Sequence, residues 1–104
     1  MWSQKVFLPV VLPAEAELAR FCQERRIRKL SLFGSVLRGG DFHADSDLDV
    51  LVEFEPDAHV GWNIVTIEDE LSALLGRAVD LNTPTSLSPY FRQKVLDGAL
   101  VLYG

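Results

Sequence analysis

The sequence is poor in cysteine, short of positive charge and without a long apolar run. Its single cysteine, Cys22, excludes an internal disulfide and fits a reducing compartment, so we expect a cytoplasmic protein. Ten Lys and Arg residues stand against fifteen Asp and Glu residues, which gives a formal net charge of −5. Sequence-independent binding to nucleic acid depends on cations that neutralise phosphates, so a polynucleotide is not expected as a partner. No segment approaches the roughly 20 apolar residues of a membrane span, so no membrane partner is expected.

The length of the chain limits its organisation. A chain of 104 residues, of which 48% are hydrophobic, suits one core and leaves no room for a second, so residues 1–104 are expected to form a single domain. The start of the chain imitates a signal peptide, because Lys5 precedes an apolar run over residues 6–12. Pro9 interrupts that run and one lysine is a poor basic region, so an extended segment is the preferred interpretation.

Apolar periodicity and capping signals predict helices that alternate with strands. Helices are predicted over residues 13–26, 62–75 and 89–97, with Ser88 as the cap of the last. In the first helix one apolar stripe is predicted, formed by Ala14, Leu18, Phe21 and Cys22. Strands are predicted over residues 30–33, 47–54, 78–82 and 100–103. This order favours an α/β (α+β) fold, with helices packed on one face of a mixed sheet and the acidic residues described next on the other.

Two carboxylates share one face of the second predicted strand. Side chains alternate along a strand, so Asp47 and Asp49 lie opposite the apolar residues at 48, 50, 52 and 54, with Cα atoms about 7 Å apart. Like charges at about 5 Å repel by roughly 3 kcal/mol at an effective dielectric near 20, so a cation is expected between them. Mg²⁺ suits the position, because it takes one or two carboxylates and completes its shell with water and substrate phosphates. In the next strand the same alternation places Asp80 on the carboxylate face.

A glycine and a serine follow the first predicted strand. The backbone N–H groups of the turn after Gly34-Ser35 attract anions. Gly34 permits close approach of a ligand, Ser35 offers a hydroxyl, and Arg38 can add a charge-assisted contact. Taken alone, the pair more often marks an ordinary turn. Joined to D-x-D on a nearby strand, it predicts a phosphate-binding turn beside a metal site.

These motifs carry a resemblance to a known family. The pattern G-S-x-x-R-G followed by D-S-D-x-D-V-L-V resembles the nucleotidyltransferase superfamily that includes DNA polymerase beta, and is most similar to its minimal, MNT-type bacterial members. The resemblance implies that Gly34 and Ser35 hold a triphosphate and that Asp47 and Asp49 bind Mg²⁺. It also implies that Asp80, the least specific match, completes the metal site.

The resemblance further implies a function. Such proteins transfer a nucleoside monophosphate from an NTP, with two cations assisting and pyrophosphate leaving. MNT-type relatives commonly act as antitoxins that transfer AMP from ATP to a tyrosine of a HEPN-type toxin, so the implied acceptor is a protein. The rival hypothesis is a module that binds nucleotide without turnover, or that neutralises such a toxin stoichiometrically.

Four other features have structural interpretations that we prefer to functional ones. Cys22 is expected in the core, since no partner for a nucleophile is visible. The basic cluster at residues 25–29 is interpreted as a solvated helix end rather than as a contact for a nucleotide or an acidic partner. His43 is expected in a surface loop and Trp62 in packing, rather than in catalysis or base stacking.

Overall fold

A computed structural model describes residues 11–38, 43, 46–59 and 63–104. The helices of these residues are α1 (Glu15–Glu24), α2 (Asn63–Leu75) and α3 (Pro89–Gly98). Their strands are β1 (Ile27–Phe33), β2 (Leu48–Phe54), β3 (Val79–Asn82) and β4 (Leu100–Tyr103). Short 3-10 turns follow β1 at Gly34–Leu37 and β3 at Pro84–Ser86. The element order from the first helix onward agrees with the prediction, whereas most of the predicted extended segment lies outside the described residues.

The four strands form one mixed sheet in the order β3-β2-β1-β4. Strand β1 pairs antiparallel with β2 and with β4, while β2 and β3 run parallel. The pairing places Phe33 opposite Asp49 on one side and Asp80 opposite Asp49 on the other. The predicted mixed sheet of an α+β fold is confirmed.

The core lies between the sheet and the two helices α1 and α2. It is built from side chains that face each other across this layer, Leu18, Phe21, Cys22, Ile67 and Leu71 from the helices and Leu30, Leu32, Leu48, Val50 and Val52 from the strands. The alternation predicted for β2 places Leu48, Val50 and Val52 in this core. Leu51 on the opposite face is also only 2% exposed, so that face is partly covered as well.

Helix α1 is shorter than the predicted span of residues 13–26, because both ends lack the chemistry to extend it. Ala14 occupies the N-cap position, where it makes no side-chain hydrogen bond to the helix. It is exposed, so the predicted stripe loses its first member. At the other end Arg26 adopts a φ of 59°, which turns the chain directly into β1.

Helix α3 lies beside the carboxylate face and not with the other two helices. Its residues Phe91, Lys94 and Val95 line a cavity together with Phe33 and Asp49. The topology supplies the reason: the chain must cross from β3 at one edge of the sheet to β4 at the other, and α1 and α2 already cover the core face. The predicted helical layer on one face therefore consists of α1 and α2.

Side chains of α2 close the outer edge of β3. The backbone N–H of Val79 donates to Ser72 Oγ over 3.1 Å, and that of Leu81 donates to Glu68 Oε2 over 2.8 Å. An edge strand otherwise presents such groups to other chains. Because the two bonds flank Asp80, they fix the segment that carries this carboxylate.

Candidate nucleotide and metal site

The turn after β1 lies directly against a carboxylate of β2. Gly34 begins the 3-10 turn with a φ of 79°, a conformation that glycine adopts without a steric penalty. A Cβ at this position would overlap Asp49 Oδ2 and would lie 3.1 Å from Asp49 Cγ. The backbone N–H of Arg38 donates to Ser35 O over 3.0 Å and closes the turn. The two motif halves recognised in the sequence are thus in contact.

The three predicted aspartates share one end of the sheet. Asp49 is half-buried in β2 and opposite the exposed Asp80 of β3, while Asp47 is exposed just before β2 begins. Burial raises the pKa of the Asp49 carboxyl, and the negative charges of Asp80 and Asp47 raise it further. Arg38 acts in the opposite direction. These four side chains therefore form one electrostatic unit in which negative charge is in excess.

The chemistry of this unit suits a hard divalent cation. Within the described ranges, no three His, Cys, Asp or Glu side chains are grouped so that they form a metal site by themselves. Mg²⁺ does not require an all-protein cage, because it usually keeps water molecules and binds substrate phosphates besides one or two carboxylates. Carboxylate oxygens are available here from Asp47, Asp49 and Asp80. A cation would relieve the repulsion between them, which together with burial raises the pKa of Asp49. The site therefore fits an Mg²⁺ that a nucleotide helps to hold.

A cavity of about 510 Å³ opens beside Asp49. Its lining comes from the end of β1, the turn and helix α3, namely Phe33, Gly34, Leu37, Arg38, Asp49, Phe91, Lys94, Val95 and Gly98. Gly34, Arg38 and Asp49 were predicted from the sequence as site residues. Phe91 and Lys94 were not, because only the crossing of α3 over the carboxylate face brings them to the site. Neither Asp47 nor Asp80 lines the cavity, so it lies on the Gly34 side of the carboxylates.

A further residue missed in the sequence, Arg77, ties the loop before β2 to the start of β3. Its guanidinium group donates to His43 O over 3.1 Å and to Ser46 O over 3.3 Å. The backbone N–H of Leu48 donates to Ala78 O over 2.9 Å, which continues the same junction. Asp47 lies between these contacts, so Arg77 helps to set its position. A cation three residues before Asp80 was the only signal for this role.

The features interpreted as structural behave mostly as expected. Cys22 is fully buried, and burial raises the pKa of its thiol to about 12. His43 is exposed, whereas Trp62 lies outside the described residues. The basic cluster is not the predicted helix end, because α1 stops at Glu24 and residues 27–29 belong to β1. Its three arginines are paired with carboxylates: Arg25 with Glu70 at 3.1 Å, Arg28 with Glu53 at 3.0 Å, and Arg26 with Asp57. The ion pairs with Arg25 and Arg26 lower the pKa values of Glu70 and Asp57.

Comparison with known sequences agrees with this geometry. Residues 15–102 match the family described as nucleotidyltransferase domain. The chain is 39% identical over 70 residues to "Protein adenylyltransferase MntA" of Thermococcus cleftensis, an alignment that covers 67% of this chain and 69% of the relative. The protein therefore belongs to the nucleotidyltransferase domain family, as the resemblance implied. Its expected status as a nucleotidyltransferase enzyme is confirmed.

Solved structures show the same fold. One, described as "putative minimal nucleotidyltransferase", superposes with a TM-score of 0.67 at 33% identity, over 82% of this chain and 85% of the other. Another, a tri-AMPylated Shewanella oneidensis HEPN toxin in complex with MNT antitoxin, gives a TM-score of 0.60 at 23% identity, over 86% and 69% of the two chains. At that identity the second likeness concerns the fold alone.

The described residues contain no helix with the length and apolar character that crossing a membrane requires.

Proposed function

We propose that this protein is a cytoplasmic antitoxin that transfers AMP from ATP, with Mg²⁺, to a tyrosine hydroxyl of a HEPN-type toxin. The observation that carries the proposal is the pairing of Asp49 with Asp80 on neighbouring strands, directly beside the Gly34 turn. The name of the Thermococcus relative and the AMPylated toxin in the Shewanella complex support the donor and the acceptor.

The proposed reaction is an in-line displacement at the α-phosphorus of ATP. The tyrosine oxygen forms a bond to that phosphorus while the bond from phosphorus to the oxygen bridging the β-phosphate breaks. Pyrophosphate leaves with the electron pair, and the hydroxyl proton passes to the carboxylate of Asp80. Asp47, Asp49 and Asp80 would hold Mg²⁺, which would supply positive charge to offset the negative charge on the attacking and leaving oxygens.

The turn residues bind and orient the donor. Gly34 brings the backbone of the turn against the Asp49 carboxylate, which even a Cβ at this position would overlap, so a phosphate bound by the turn would lie beside the proposed metal ligands. Ser35 donates its hydroxyl to a phosphate oxygen, and Arg38, which lines the same cavity as Asp49, adds a charge-assisted contact. The rate gain from such a site comes from positioning and from fixed charge, as is general for phosphoryl transfer.

The charge distribution favours a protein acceptor over a nucleic acid. The chain carries a formal net charge of −5. In its only basic cluster, Arg25, Arg26 and Arg28 are engaged by carboxylates of the same chain. A polynucleotide would have to displace these pairs to gain its phosphate contacts.

The test uses a HEPN-type toxin encoded by the same genome. Purified protein at a small fraction of the toxin concentration, with Mg²⁺ and labelled ATP, should modify the whole toxin pool, and tandem mass spectrometry should place AMP on tyrosine. Asp47→Asn and Asp49→Asn should abolish the transfer, whereas the matched change Asp69→Asn on the exposed surface of α2 should not. A toxin that stays unmodified and is silenced only at an equimolar ratio would instead establish the stoichiometric binding module.

A further inference from the structure

The cavity beside Asp49 lies on the side of the site where ATP, the proposed AMP donor, would bind. It is lined by Gly34 and Arg38, which serve the phosphates in the proposed function, and by neither Asp47 nor Asp80. An acceptor that gives its proton to Asp80 approaches from the β3 side, because Asp80 belongs to that strand. The cavity lies on the other side of Asp49, between the end of β1 and α3.

Helix α3 places a positively charged side chain, Lys94, in the lining of this cavity. Lys94 is exposed, and it has no hydrogen bond or ion pair with any residue that the structure describes. Its neighbour one helical turn later, Asp97, accepts a hydrogen bond of 2.8 Å from Gln93 instead. The other charged side chains at or near the cavity are Arg38 and Asp49, which line it, and Asp47 and Asp80 beside Asp49. A ligand with several negative charges would therefore find cations on two walls, at Arg38 and at Lys94.

The rest of the cavity wall is apolar. Phe33 and Leu37 come from the β1 end, while Phe91 and Val95 come from α3. Phe91 is 62% exposed, which is a large exposure for an aromatic side chain at the mouth of a cavity. Aromatic and aliphatic walls with a few charged groups are typical of cofactor and nucleotide sites.

We propose that Lys94 is a donor-binding residue, whose ammonium group contacts the phosphates of the ATP while the nucleoside lies against Phe91. This inference rests on the proposed function, since it assigns a further contact to the same donor. It adds α3 to a site that the sequence motifs confine to the turn after β1 and to strands β2 and β3.

The experiment measures binding of Mg²⁺-ATP by titration calorimetry, without any acceptor. Lys94→Met should weaken binding about tenfold or more, the effect of losing one hydrogen bond to a charged group. Lys94→Arg should restore most of the affinity, and Lys94→Gln should resemble Lys94→Met. The difference between wild type and Lys94→Met should shrink in high salt, since exposed charges are screened. Phe91→Ala should weaken binding without changing the salt dependence.

The matched control is Arg20→Met, which removes one positive charge from exposed α1 on the other side of the sheet. It should leave ATP affinity within about twofold of wild type. Equal affinity of wild type and Lys94→Met, or a loss that Lys94→Arg does not reverse, would overturn the role of Lys94 and leave the proposed function standing. A wild-type protein that binds no Mg²⁺-ATP would instead overturn the proposed function itself.

Discussion

Gly34 and Asp49 lie so close together that the first atom of any side chain at position 34 would occupy the place of the Asp49 carboxylate. The contact joins the turn after β1 to strand β2, which carries the Asp49 carboxylate. Two separate features therefore favour glycine at this position: the contact with Asp49 and the φ of 79°.

Gly34→Ala should therefore abolish nucleotide binding as well as costing stability. We expect a loss of about 1 kcal/mol from the left-handed backbone conformation, and a displaced Asp49 in addition. The matched control is Gly76→Ala, because Gly76 has a similar φ of 73° but no atom within 4 Å of its Cβ position. Both variants should show a lower melting temperature, and only Gly34→Ala should lose ATP binding in calorimetry. Normal ATP binding by Gly34→Ala would contradict the contact.

Asp49→Asn should abolish transfer while leaving the metal-free protein at least as stable as wild type. Burial and the charges of Asp80 and Asp47 disfavour the ionised Asp49 in the fold, so a neutral side chain relieves that repulsion. We expect the free energy of unfolding at pH 7 to stay level or to rise by up to about 1 kcal/mol. Urea denaturation in the presence of a chelator measures it. Marked destabilisation by Asp49→Asn, with Asp69→Asn unchanged, would contradict the proposed repulsion.

The site was predictable from the sequence wherever it depends on local spacing. Alternation along two strands placed Asp49 and Asp80 on one face, and their parallel pairing makes them direct neighbours. Gly34 was recognised because it begins a turn directly after a predicted strand, and that signal needs no tertiary information.

The parts that were missed depend on long-range packing. Lys94 belongs to the site only because α3 crosses the carboxylate face, a consequence of where β4 pairs in the sheet. Arg77 acts through carbonyl groups more than thirty residues away in the chain, and side-chain reach of that kind leaves no periodic signal. The predicted first helix was too long because periodicity does not detect a missing cap at Ala14.

Arg77→Met should lower activity by loosening Asp47, and not only by lowering stability. The variant loses two hydrogen bonds to loop carbonyls, so we expect about 1–2 kcal/mol less stability. Assayed well below its melting temperature, it should also need more Mg²⁺ for half-maximal transfer, because the loop no longer holds Asp47. Arg77→Lys should be intermediate, since a single nitrogen, Nη2, donates both bonds and an ammonium group could replace it only from a shorter side chain. An unchanged Mg²⁺ requirement in Arg77→Met would reduce Arg77 to a stabilising residue.

Cys22 should make the protein less stable in alkali. Its thiol has an ordinary pKa of 9.0, and burial raises that value to about 12 in the fold. Between these values the unfolded chain has lost a proton that the folded chain keeps, so the free energy of unfolding falls as pH rises. From pH 8 to 10 wild type should lose about 1 kcal/mol more than Cys22→Ala in urea melts. Parallel pH profiles for the two proteins would refute this, as would rapid reaction of native Cys22 with a thiol reagent at pH 8.

Binding of Mg²⁺ should depend on the nucleotide. Two or three carboxylates without further ligands make an incomplete magnesium site, and phosphates of ATP supply the missing oxygen donors. We therefore expect weak Mg²⁺ binding to the free protein and much tighter binding in the presence of a non-hydrolysable ATP analogue, measured by calorimetry. By linkage, Mg²⁺ should tighten binding of the analogue by the same factor. In Asp47→Asn and Asp49→Asn this coupling should disappear, while Asp69→Asn should retain it. An equal Mg²⁺ affinity with and without the analogue in wild type would show that the nucleotide does not complete the metal site.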